Sequence, residues 1–218
     1  MMTLTAADGH KFQAFEAGNV NAPRGLVVVQ EIFGVNAHIR SVAERLAGYG
    51  YRVLAPAMFD RVSPDIELDY SPEGIEAGRD ARAKISDEQA LLDLEAAAAA
   101  FAGKPVGIIG YCWGGSLAWD AATATKRFKA ASCWYGGGIA AKKDAQPNCP
   151  VQMHFGTEDH GIPMGDVEAI KAAQPGVDLF VYEGAQHGFG CEARASYSAK
   201  DWELAELRAL AFFAEHLR

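Results

Sequence analysis

Val106-Gly107-Ile108-Ile109-Gly110-Tyr111-Cys112-Trp113-Gly114-Gly115 is the stretch that decides the fold. Val106–Gly110 is a short apolar run, the mark of a strand buried on both faces, and Gly114–Thr125 continues as a helix. Between them, Gly110-Tyr111-Cys112-Trp113-Gly114 has the G-x-nucleophile-x-G form of a nucleophile elbow, with Cys where Ser is usual. The spacing has a steric cause. The nucleophile sits on a sharp strand-to-helix turn at strained backbone angles, so the positions two before and two after it must be small. A thiol there meets the partial positive charge of a helix N-terminus, which favours thiolate. The Trp113 N–H points into the same space and is positioned to donate to an oxyanion. The competing reading is a small buried core cysteine. The flanking strand and helix favour the nucleophile, because they are the context the motif requires.

Outward from the elbow, the same alternation repeats. Thr3–Thr5 and Lys11–Glu16 flank an Asp8-Gly9 turn and read as an N-terminal antiparallel hairpin. Gly25–Gln30 is a buried strand, Ala37–Tyr49 an amphipathic helix stopped by Gly50, and Tyr51–Ala55 a second buried strand ended by Pro56. Met58–Arg79 carries Pro64, Pro72 and several acids and reads as an irregular surface excursion, a candidate lid. Ser86 with Gln89 three residues on is a capping-box start for a helix running to about Gly103. Beyond the elbow come strands Lys129–Trp134, Val151–Phe155 and Val177–Tyr182, and helices Val167–Ala173 and Asp201–His216. Strands alternating with helices predict a mainly parallel sheet flanked by helices. With no repeat, linker or composition break, residues 1–218 are expected to form one domain.

Composition narrows the function. A net charge of −8 argues against nucleic acid, which needs clustered Lys and Arg. No apolar stretch is long enough to span a bilayer, and Met1–Gly9 lacks an export signal, so a cytoplasmic protein is expected. Cys112, Cys133, Cys149 and Cys191 form no C-x-x-C pair and the six histidines no paired spacing, so neither disulfide nor zinc is expected. No cofactor is expected, and a monomer is.

A nucleophile on a strand-to-helix turn needs an acid and then a histidine later in the chain. Asp159 follows the Val151–Phe155 strand in Gly156-Thr157-Glu158-Asp159-His160-Gly161, and His187 follows the Val177–Tyr182 strand in Gly184-Ala185-Gln186-His187-Gly188-Phe189. Both lie beyond strand carboxyl ends, where open α/β sheets place their chemistry. His187 is expected to take the thiol proton, with Asp159 fixing its tautomer. Glu158 is the rival acid and His160 the rival base, though His160 would break the order. His154 inside a strand reads as a satisfied core histidine; His10, His38 and His216 read as solvated.

With these residues placed, the chain resembles the dienelactone hydrolase (carboxymethylenebutenolidase) family of α/β-hydrolases over nearly its whole length. The resemblance rests on Gln30-Glu31-Ile32-Phe33-Gly34-Val35-Asn36, Gly50-Tyr51-Arg52-Val53-Leu54-Ala55-Pro56, the elbow, the Asp159 loop and Gln186-His187-Gly188-Phe189. It implies an α/β-hydrolase fold and a hydrolase acting on a carboxylated small-molecule lactone or ester. It further implies that Glu31 holds the resting thiol neutral and accepts its proton when substrate arrives; the alternative is a Glu that caps the next helix or pairs with an Arg. The Ile32 N–H becomes the second oxyanion donor beside Trp113. One departure stands out. The family's substrate-gripping Arg four positions beyond the His is Cys191 here, leaving Arg194, Arg79 and Arg82 as candidates to bind a substrate carboxylate.

A thiol nucleophile also constrains the substrate. Thiolate leaves a tetrahedral intermediate more readily than a simple alkoxide, so an enol ester or enol lactone, which expels a stabilised enolate, suits it best. The expected reaction is hydrolysis of an enol lactone such as dienelactone through a Cys112 thioester. A broader carboxylesterase or thioesterase acting on a neutral ester is the alternative, and a redox-sensing Cys112 a weaker one.

Overall fold

The computed structural model describes residues 1–218. Eight strands form one sheet: β1 (Met2–Thr5), β2 (Lys11–Ala17), β3 (Gly25–Val29), β4 (Arg52–Pro56), β5 (Val106–Tyr111), β6 (Ala130–Trp134), β7 (Val151–Gly156) and β8 (Asp178–Tyr182). Their order is β1-β2-β4-β3-β5-β6-β7-β8. The β1–β2 and β2–β4 pairs are antiparallel and all others parallel, the α/β-hydrolase arrangement with its N-terminal hairpin. Every residue of β3 to β7 is buried, which is why these segments read as unbroken apolar runs rather than alternating ones.

Six helices cover the sheet: α1 (Ala37–Gly48), α2 (Pro72–Ala83), α3 (Asp87–Ala99), α4 (Trp113–Ala124), α5 (Met164–Ala173) and α6 (Ala199–His216). Asn36 caps α1 through its side chain, and Ser86 with Gln89 forms the expected capping box at α3. No helix is long and apolar enough to cross a membrane.

The expectation of an irregular excursion over 58–79 is corrected. Met58–Arg61 forms a 3-10 turn and Pro72–Ala83 is the regular helix α2. Pro72 does not break this helix; it starts it. The Ser71 side chain caps the Gly74 N–H, and Pro sits at the helix start, where its missing N–H costs nothing. α2 is seated against the loop after β3 through Gly78, where a Cβ would lie 2.0 Å from the Ile32 carbonyl oxygen.

The chain leaves β3 toward β4 on one side, and β5 flanks β3 on the other. The carboxyl ends of β3 and β5 therefore border a topological switch point, the crevice where open α/β sheets bind ligands. Val29 and Gly110 are paired in register there. Glu31 and Cys112 are each two residues beyond.

Candidate active site

Cys112 occupies the turn between β5 and α4 at φ 56° and ψ −115°, a conformation L residues avoid. Such strain costs roughly 1–3 kcal/mol and persists only where surrounding packing imposes it. The packing is identifiable. A Cβ on Gly110 would stand 1.9 Å from the Gly114 carbonyl oxygen, and one on Gly114 would stand 2.4 Å from that of Val29. The two glycines are thus the condition for the elbow, as its spacing predicts. The Cys112 N–H donates to Trp134 O at 3.0 Å, tying the turn to β6.

His187 and Asp159 meet beside Cys112. His187 Nδ1 lies 2.7 Å from Asp159 Oδ2, and Asp159 Oδ1 accepts the Gly161 N–H at 2.9 Å. Asp159 is buried, whereas Glu158 and His160 are exposed, so neither rival enters the site. Burial opposes the imidazolium of His187, but Asp159 and Cys112 outweigh it and push the histidine up to about 10. The ring packs edge-on against Tyr135 at 5.2 Å, and the His187 carbonyl accepts the Ser196 hydroxyl at 2.7 Å. Tyr135, at φ 38° with its hydroxyl buried and unpartnered, has no sequence signal that marks it.

Cys112 and His187 open into a cavity of about 530 Å³, lined also by Ile32, Phe33, Ile75, Trp113, Ser116, Ile162 and the Gly137-Gly138 loop. The Trp113 N–H starts α4 and has no acceptor within the helix, and the Ile32 N–H makes no backbone hydrogen bond. Arg79, Arg82 and Arg194 all line the same space. Ile75, Arg79 and Arg82 recur at i, i+4 and i+7 along α2, which puts them on one helix face. The Arg pair is therefore delivered by a regular helix.

Glu31 is buried, with Oε1 3.3 Å from Arg194 Nη1 and Oε2 unpartnered. Burial pushes its carboxyl pKa up, with Arg194 and His187 opposing. Glu31 makes no hydrogen bond to Cys112; the guanidinium takes its place, because a buried carboxylate is costly without a cation. Arg194 reaches it past Gly188, where a Cβ would come within 2.8 Å of the guanidinium, and lies over the Phe33 and Tyr70 rings. Cys191, at the position where the resemblance places an Arg, is buried nearby.

His154 is the satisfied core histidine expected, bonded to Tyr182 and Gln152 at 2.8 Å each. His38 is not solvated as expected. It is buried on the first turn of α1, because that turn packs under the loop of Glu31 and not against solvent.

The dienelactone hydrolase family profile matches residues 12–217. The chain belongs to the dienelactone hydrolase family. A Pseudomonas putida carboxymethylenebutenolidase is 32% identical over 228 residues, covering 98% of this chain and 95% of that protein. A Synechocystis protein provisionally described by the same name is 42% identical over 195 residues, covering 80% and 79%. A crystal structure from Klebsiella pneumoniae, provisionally described as a dienelactone hydrolase, superposes with a TM-score of 0.82 at 32% identity, covering 97% of each chain. The protein is accordingly a hydrolase of the carboxymethylenebutenolidase type.

Proposed function

We propose that this dienelactone hydrolase family member cleaves a carboxylated enol lactone such as dienelactone, carboxymethylenebutenolide to maleylacetate, through a thioester on Cys112. The observation that carries this reading is the strained Cys112 beside the His187–Asp159 pair, with three guanidiniums lining one cavity. In the proposed cycle the Cys112 sulfur attacks the lactone carbonyl, and the Ile32 and Trp113 N–H groups receive the oxyanion. Collapse breaks the ring C–O bond and expels an enolate, which takes its proton from His187. His187, now neutral, removes a proton from water and keeps it; the hydroxide cleaves the thioester, and the departing Cys112 thiolate recovers its own proton from Glu31.

Glu31 serves as the resting proton acceptor for the thiol, a role its raised carboxyl pKa suits. It is free to act only when Arg194 lets go, and a substrate carboxylate drawing on Arg194 would release it. Arg79 and Arg82 face the same carboxylate from α2.

One observation favours a second reading, a carboxylesterase or thioesterase for neutral esters: Arg194 already has a carboxylate partner in Glu31. The test compares turnover of dienelactone with that of an uncharged aryl ester, with intact-mass detection of the acyl-enzyme. A Cys112 adduct and a kcat/KM at least tenfold higher on the lactone are expected. Equal rates would select the neutral-ester reading, and normal turnover by Cys112→Ala would remove both.

A further inference from the structure

Beside the cavity, but not lining it, three chemically matched side chains converge from separate segments. Glu31 comes from the loop after β3, His38 from the first turn of α1 and Cys191 from the loop beyond His187. One donor atom of each lies within 4.8 Å of the other two, and all three residues are buried. Glu31 Oε2 and His38 Nε2 have no hydrogen-bond partner, although they are only 1% and 8% exposed as residues. Leaving buried polar atoms unpaired costs about 1–3 kcal/mol each, so a shared partner for them is favoured.

We propose that Glu31, His38 and Cys191 bind one thiophilic divalent cation, of which Zn²⁺ is the representative. The donor set is the argument for that class. Carboxylate, imidazole and thiolate together suit a borderline-soft ion, whereas Ca²⁺ and Mg²⁺ require oxygen. Three protein ligands leave a fourth position open. Bond lengths of roughly 2.0–2.3 Å require the widest-spaced donors to close by about 1 Å on binding.

The Cys191 thiol releases one proton to solvent, Arg194 gives up Glu31, and sulfur, nitrogen and oxygen each donate a pair to the ion. The retained Arg194 charge and the positive end of α1 oppose the cation, so an intracluster affinity weaker than that of a closed structural zinc site is expected. Loading would remove Glu31 from the hydrolytic cycle and inhibit it; that consequence rests on the proposed reaction, while the site itself does not.

The experiment is a Co²⁺ titration of purified Cys112→Ala protein, which lacks the rival thiol facing His187. A sulfur-to-cobalt charge-transfer band saturating at one ion per chain, and displaced by Zn²⁺, is expected. It should vanish when Cys191→Ala or His38→Gln is added, with circular dichroism verifying that each variant is folded. Absence of a saturating band in the Cys112→Ala protein would overturn the proposal. So would a band that survives either added substitution, because it would then arise at Cys133, Cys149 or a cysteine alone.

Discussion

Replacing Gly78 by Ala tests how α2 governs the active site. In an exposed helix this change stabilises by roughly 1 kcal/mol, since Ala loses less backbone entropy. At Gly78 the new Cβ would stand 2.0 Å from the Ile32 carbonyl oxygen, and Cβ contacts below 3.0 Å are essentially unobserved. The helix or the Ile32 loop must therefore retreat by about 1 Å. The retreat moves the Ile32 N–H on one side and the Arg79–Arg82 face on the other. A 1 Å misplacement near reacting groups costs on the order of 10²-fold in rate. The expected result is a fall in kcat/KM of that order on an aryl ester, with no gain in Tm. Gly48→Ala is the control, because its Cβ meets nothing within 4 Å at the end of α1. That control should raise Tm by roughly 2–4 °C per kcal/mol gained and leave kcat/KM unchanged. A Gly78→Ala enzyme with wild-type kcat/KM and a raised Tm would refute the seating of α2 on Ile32.

Two further outcomes follow from the charges. His187 is raised to about 10 from an ordinary value of 6.5, so the stability it contributes is full below 6.5 and is lost as pH rises through 10. Urea midpoints measured between pH 6.5 and 10 should decline, and His187→Gln should flatten that decline; an equal slope in both proteins would remove the pairing with Asp159 and Cys112 as its cause. Glu31 is raised by burial, so the fold favours its neutral form, and Glu31→Gln should raise Tm at pH 7 while lowering hydrolytic rate. A lower Tm would mean that the Arg194 pairing outweighs the cost of burying the carboxylate.

Local spacing determined much of this protein. The elbow was legible because its two glycines answer a steric demand that any chain must meet, here contacts of 1.9 and 2.4 Å for an added Cβ. The order Cys112, Asp159, His187 followed from strands that end where ligands bind, and fully buried strands announced themselves as apolar runs. The helix α2 carried a readable start in Ser71-Pro72, yet the two prolines and the acids made its segment look irregular. Its Gly74 and Gly78 weakened the helical signal further, because they serve close packing against Asp69 and Ile32 and not propensity.

Only the tertiary structure decided the partners of the buried charges. That Arg194 takes Glu31, 163 residues away in the chain, depends on a path past Gly188 and over two aromatic rings. The gathering of Glu31, His38 and Cys191 is likewise invisible to spacing rules, since metal-type patterns are read from residues close in sequence. The reason is physical: periodicity reports which face of an element is apolar, but the cost of burying a charge is met by whatever group the folded chain brings beside it.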